Sequence, residues 1–161
     1  MAQAADVRAD NGGIVGAFVK NGILISRGDS KAGFCAIIDG KPMIGVADAT
    51  SYLDRAIESG GDFFRQFPLV VGGQVVENDR AGKALRKALV EINGDIAVVS
   101  SREKLTFNEF SKALVSLGVS NAIYLVGSTS YGTYRTSDGK RKDFGERVDD
   151  PFPNASYIIW K

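Results

Sequence analysis

The sequence predicts an α+β fold in a single domain, with a mixed or largely antiparallel sheet and about two helices. Three observations carry this. The pairs Asn21-Gly22, Asp39-Gly40 and Asn93-Gly94 each separate runs rich in β-branched or aromatic residues, and Asn, Asp and Gly tolerate the positive φ of tight hairpin turns. Two segments carry apolar residues at helical spacing, too few to supply the crossovers of a doubly wound parallel sheet. The 161 residues, 44% of them hydrophobic and 24% charged, suffice for one real core and a solvated surface.

Residues 1–13 are small and polar, end in Asn11-Gly12-Gly13, and read as a flexible N-terminal segment that packs little, with the domain proper spanning 14–161. Residues 14–19 and 23–26 read as strands of a first hairpin, and residues 33–38 and 43–47 as those of a second. Residues 49–59 carry Tyr52, Leu53, Ala56 and Ile57 at helical spacing, and Gly60-Gly61 stops the helix. The Gly72-Gly73 pair between Leu69-Val70-Val71 and Val75-Val76 marks a turn, a bulge or a close backbone approach. Residues 81–92 favour a helix by intrinsic propensity, yet Ala84, Arg86, Ala88, Val90 and Ile92 alternate with their neighbours and lead into Asn93-Gly94. A hairpin with the strand 96–99 follows. Thr106-Phe107-Asn108-Glu109 matches a capping box; Phe107, Phe110, Ala113, Leu114 and Leu117 form one face, and Gly118 closes the helix. Residues 121–126 form a buried strand, residues 137–153 a polar surface loop, and residues 155–160 a terminal strand.

Composition narrows the chemistry. Twenty Lys+Arg against nineteen Asp+Glu leave a net charge of +1, so no global field favours nucleic acid or an anionic membrane, and any anion site must be local. With no histidine, Ser-His-Asp triads, Cys-His dyads and His-ligated zinc are excluded. Cys35 lies in the apolar run Phe34-Cys35-Ala36-Ile37-Ile38 and reads as a buried small hydrophobe. No apolar stretch is long enough to span a bilayer, and Met1-Ala2-Gln3-Ala4-Ala5-Asp6 lacks the pattern of a secretion signal. Location stays open, because a chain that had lost its signal would look the same. Walker and dinucleotide fingerprints are absent, and no cofactor or metal is expected.

Two features carry candidate chemistry. The loop Gly127-Ser128-Thr129-Ser130 at the end of a core strand combines close backbone approach with hydroxyls, suited to a phosphate or sugar oxygen; the same cluster also marks an ordinary turn. Arg86 shares a strand face with Ala84, Ala88 and Val90, where a cation calls for an anionic partner or snorkels at an edge. Among the carboxylates, Asp48 and Asp62 are candidates with no distinguishing signal. Arg135, Lys140, Arg141 and Lys142, interleaved with Asp138 and Asp143, read as solvated surface.

The order of segments resembles the phosphodiester glycosidase family. The collinear set runs from Gly16-Ala17-Phe18-Val19-Lys20-Asn21-Gly22 through Gln66-Phe67-Pro68-Leu69-Val70-Val71-Gly72-Gly73 and Arg86-Lys87-Ala88 to Ala122-Ile123-Tyr124-Leu125-Val126-Gly127-Ser128. The resemblance implies that residues 84–92 are strand, that Arg86 occupies the family's arginine position as a catalytic, phosphate-holding group, and that Gly127, Ser128, Thr129 and Ser130 bind substrate. It implies a glycan or sugar phosphodiester as partner, with hydrolysis of the sugar–phosphate bond as the activity. In this sequence Val126 stands where the family's loop has an Asp, and Tyr124 where an Asn is common. An inactive glycan- or protein-binding module and a structural assembly module are therefore the alternatives. Oligomeric state, sugar and linkage stay open.

Overall fold

A computed structural model of the chain describes residues 1–8, 10–28, 31–127, 130–145 and 156–160. Among these residues, three sheets and two helices form an α+β domain in which every strand pairing is antiparallel.

The first sheet grows from two hairpins. β2 (Phe18–Lys20) and β3 (Ile23–Ser26) turn at Asn21 (φ 49°) and Gly22 (φ 75°), and β4 (Gly33–Ile38) and β5 (Lys41–Val46) turn at Asp39-Gly40. These left-handed pairs match the twist of the strands they join. α1 (Tyr52–Glu58) follows, and β6 (Asp62–Gln66) then inserts between the hairpins, giving the order β3-β2-β6-β4-β5. Alternation along these strands sorts their side chains. Phe34, Ala36 and Phe63 pack beneath α1 around its buried Ala56, while Cys35 and Phe64 face the second sheet. The buried Cys35 thiol is pushed up to about 12 by desolvation, so it stays protonated and behaves as a small apolar group.

The second sheet has the order β10-β9-β11-β7-β8, from β7 (Pro68–Val71), β8 (Gln74–Val75), β9 (Lys87–Ile92), β10 (Asp95–Ser100) and β11 (Val119–Leu125). The Gly72-Gly73 pair is the turn between β7 and β8, and Asn93-Gly94 that between β9 and β10. Leu89, Ile123 and Leu125 face the first sheet; Ala88, Val90 and Ala122 face α2 (Phe107–Ser116) through Phe107, Phe110 and Leu114. The layers therefore run α1, first sheet, second sheet, α2. α2 starts at the predicted capping box: Glu109 N–H donates to the Thr106 hydroxyl at 3.1 Å, and Thr106 N–H to the Glu109 carboxylate at 2.8 Å. Gly118 at φ 83° ends it.

The two sheets approach closely at Gly33. A Cβ there would lie 2.5 Å from the Gln66 carbonyl oxygen, 2.8 Å from Ile123 Cγ2 and 2.9 Å from Pro68 N. Only a residue without a side chain allows this approach.

A third sheet, β13-β12-β1-β14, closes one end with β1 (Ala2–Gln3), β12 (Gly132–Arg135), β13 (Arg141–Phe144) and β14 (Tyr157–Ile158). It corrects the reading of the N-terminus as loosely packed. Ala2, Gln3, Ala4 and Ala5 are buried, and the small side chains that suggested a loose start are what let the strand lie inside the core. Two further corrections follow. In the predicted strand 14–19 only residues from Phe18 onward join the sheet, with Ile14 making one bridge to Val7, and residues 141–144 of the predicted polar loop form a strand whose charges sit on an exposed edge. Charged side chains suit such an edge because they discourage further pairing.

Candidate functional site

The site is organised by the alternation of side chains around β9. Arg86 immediately precedes the strand and continues its ladder: Arg86 N–H donates to Ser101 Oγ at 2.8 Å and Ser101 N–H to the Arg86 carbonyl at 2.9 Å. Arg86 is 8% exposed, and its side chain lies on the α2 face. The guanidinium sits 4.2 Å from the Phe107 ring centroid and 5.9 Å from that of Tyr124, and donates from Nε to the Leu105 carbonyl at 3.0 Å and from Nη2 to the Gly82 carbonyl. Among the described residues no carboxylate lies within ion-pair distance of it. A nearly buried cation held by carbonyls, ring faces and a phenol, with no carboxylate partner among the described residues, is suited to receive an anion.

Tyr124 links Arg86 to the loop. Burial raises the Tyr124 phenol's pKa, a hydrogen bond from Arg86 works against that, and the phenol oxygen accepts the Gly127 N–H at 3.0 Å. A Cβ on Gly127 would strike the Tyr124 hydroxyl and lie 2.8 Å from the Leu85 carbonyl, so the loop can approach this closely only as glycine. Arg86 and Gly127 are thus brought together, one on each side of a tyrosine.

The other wall comes from the N-terminal segment and the end of β6. Lys31 Nζ donates to Asp6 Oδ2 at 2.7 Å and to Gln66 Oε1 at 3.2 Å, and lies 4.4 Å from the Phe67 ring centroid. Arg65, buried, fixes the Lys31 main chain by donating to its carbonyl at 2.6 Å and to that of Ala47 at 2.7 Å. Arg80 lies 4.5 Å from the same Phe67 ring. Phe67, Phe107 and Tyr124 form a row with centroid spacings of 5.9 Å and 4.9 Å, and the charge of Asp6 reaches Tyr124. Three cations, Lys31, Arg80 and Arg86, therefore border one aromatic row, with Asp6 paired to Lys31 beside it. In a chain of net charge +1, this is a local positive field suited to an anion. Among the described residues no group of three metal-ligating side chains is gathered in one place.

Of the other predicted residues, Ser128 and Thr129 lie outside the described residues. Ser130 is buried and engaged on the opposite side of the sheet. Lys87 Nζ donates to its carbonyl at 2.6 Å and its hydroxyl at 2.7 Å, and that hydroxyl donates to the Val126 carbonyl at 2.6 Å. Burial lowers the Lys87 pKa to about 8. Ser130 thus fastens the loop from behind, away from the Arg86 face. Asp62 accepts the Asn21 N–H at 2.9 Å at the first hairpin turn, and the Asp48 carbonyl accepts from Arg65 at 3.0 Å; neither is tied to the Arg86 group by a hydrogen bond among the described residues. Lys140 pairs with Asp138 and Arg141 with Asp143, each at 3.0 Å, on exposed surface.

Sequence reasoning missed Asp6, Lys31 and Lys87. Asp6 and Lys31 fall in loops whose meeting place depends on sheet packing, which no spacing reveals. Lys87 had a signal: alternation places it with Leu85 and Leu89, marking a cation on a buried face.

A separate hollow of about 580 Å³ lies between β10 and Trp160, with no Lys or Arg in its lining. It is apolar and does not suit a phosphate.

The sequence matches the phosphodiester glycosidase family over residues 2–159. No curated protein sequence matches the chain. The fold is similar to the catalytic domain of zebrafish N-acetylglucosamine-1-phosphodiester alpha-N-acetylglucosaminidase auto-inhibited by its pro-peptide, with a TM-score of 0.66 at 14% identity. The similarity covers 89% of this chain and 54% of that one, so the chain spans about half the length of this relative.

Proposed function

The chain belongs to the phosphodiester glycosidase family, and from that membership we propose that it recognises a sugar 1-phosphodiester in a glycan and hydrolyses the bond between sugar and phosphate. The observation that carries this reading is the nearly buried Arg86, which has no carboxylate partner among the described residues and adjoins Gly127 through Tyr124. Under it, Arg86 stabilises the charge that gathers on the departing phosphate, Gly127 with Ser128 and Thr129 borders the substrate, and Ser130 holds the loop in place. A phosphate leaving group needs less protonation than a sugar alkoxide, so a site poor in carboxylates is compatible with the reaction.

Val126, at the family's Asp position, favours a second reading in which the same site binds its ligand without turnover. Incubating a sugar 1-(nitrophenyl phosphate) with wild type and Arg86→Ala separates the two. Free sugar and nitrophenyl phosphate from wild type, falling at least about 100-fold in the variant, support the hydrolase. Saturable binding without either product supports the binding module, and neither binding nor turnover sinks both.

A further inference from the structure

Resting on the hydrolase reading, we propose that Asp6 is the base that takes the proton from the water attacking the sugar's anomeric carbon. Residues 2–5 are locked into the core, the Asp6 carbonyl accepts the Val15 N–H at 2.8 Å, and Val7 bridges to Ile14, so the backbone on both sides of Asp6 is fixed. Lys31, whose side chain is 8% exposed, grips Oδ2 at 2.7 Å. Oδ1 accepts no hydrogen bond among the described residues, and the Asp6 side chain is 30% exposed. One oxygen is therefore anchored while the other is open to water.

Lys31 holds the Asp6 carboxylate at the Phe67 end of the aromatic row, and Arg86 lies over Phe107 and Tyr124 at the other, so an acceptor for a proton and a cation for the leaving phosphate border the same row. Three other carboxylates are engaged elsewhere: Glu109 by Lys83 and the α2 cap, Asp62 by Asn21, and Glu91 by Asn121. In the step, the water oxygen bonds to the anomeric carbon and the carbon–oxygen bond to phosphate breaks. Its electron pair stays on the phosphate oxygen beside Arg86, and the water proton passes to Asp6 Oδ1. A single displacement of this kind inverts the anomeric configuration.

The experiment uses the full chain with the same nitrophenyl phosphodiester. Asp6→Asn should lose about 100- to 10,000-fold in kcat with KM changed by less than about threefold, and should still bind sugar 1-phosphate. In Asp6→Ala, azide should restore turnover as a glycosyl azide, because azide attacks without surrendering a proton. The released sugar should show inverted configuration. Asp6→Asn within about fivefold of wild type, loss without azide rescue, or a product of retained configuration would each overturn the proposal while leaving the hydrolase reading intact. A wild-type chain with no turnover overturns both.

Discussion

Lys87 offers a test in which the sign and size of an effect both follow from burial. Its side chain is buried, 5.2 Å from the Phe144 ring centroid, with its ammonium on Ser130. Desolvation lowers its pKa from 10.5 to about 8. Between those values the unfolded chain holds a proton that the folded chain has released, so folding gains stability as the pH rises through this window and loses it as the pH falls through 8. At about 1.4 kcal/mol per pH unit the full difference would be about 3 kcal/mol, and solvent screening reduces the expected value to about 1–2 kcal/mol. Lys87→Met keeps the apolar stem and removes the titration. Urea unfolding of both chains from about pH 7 to 10 isolates it, since the other groups cancel in the difference. Wild type should gain about 1–2 kcal/mol on the variant over that range. A flat difference, or one drifting against wild type, would mean that the ammonium is well solvated in the folded chain, and the account of the loop's anchor would fall.

Two further substitutions probe the frame that holds the site. Gly33→Ala places a methyl against the Gln66 carbonyl, Pro68 N and Ile123, two of them backbone atoms that cannot swing aside, and should lower stability by about 2–4 kcal/mol in urea unfolding. Thr106→Ala removes half of the capping box of α2 and should cost about 1 kcal/mol, seen as a loss of roughly 2–4 °C in the melting temperature; an unchanged melt would show that tertiary packing alone fixes the helix start.

The hairpins were legible because their information is local. Asn21-Gly22, Asp39-Gly40 and Asn93-Gly94 adopt the positive φ that their chemistry allows, and the strand over residues 87–92 follows from alternation despite helical propensity. The start of α2 was legible for the same reason, its cap lying within four residues. The N-terminal strand was not. Ala2, Ala4 and Ala5 read as weakly hydrophobic, and their burial comes from pairing with β12 and β14, more than 120 residues away. The site divides in the same way. Arg86 stands out as a cation on an apolar face, whereas Asp6 and Lys31 meet only because Arg65 and the first sheet carry residue 31 to the end of β6. The split between Gly127, beside Arg86, and Ser130, held by Lys87 behind the sheet, is a three-dimensional property of one short loop.

The most direct measurement of whether Arg86 receives a phosphate is a phosphorus NMR titration of a sugar 1-phosphate with wild type, Arg86→Lys and Arg86→Ala. A guanidinium that meets the phosphate predicts binding about 10- to 100-fold weaker in Arg86→Ala, with Arg86→Lys between the two because an ammonium restores the charge without the paired donors. Equal affinity in all three proteins, each folded by its melting curve, would contradict the account and leave Arg86 as a cation that merely ties the Gly82 and Leu105 carbonyls together.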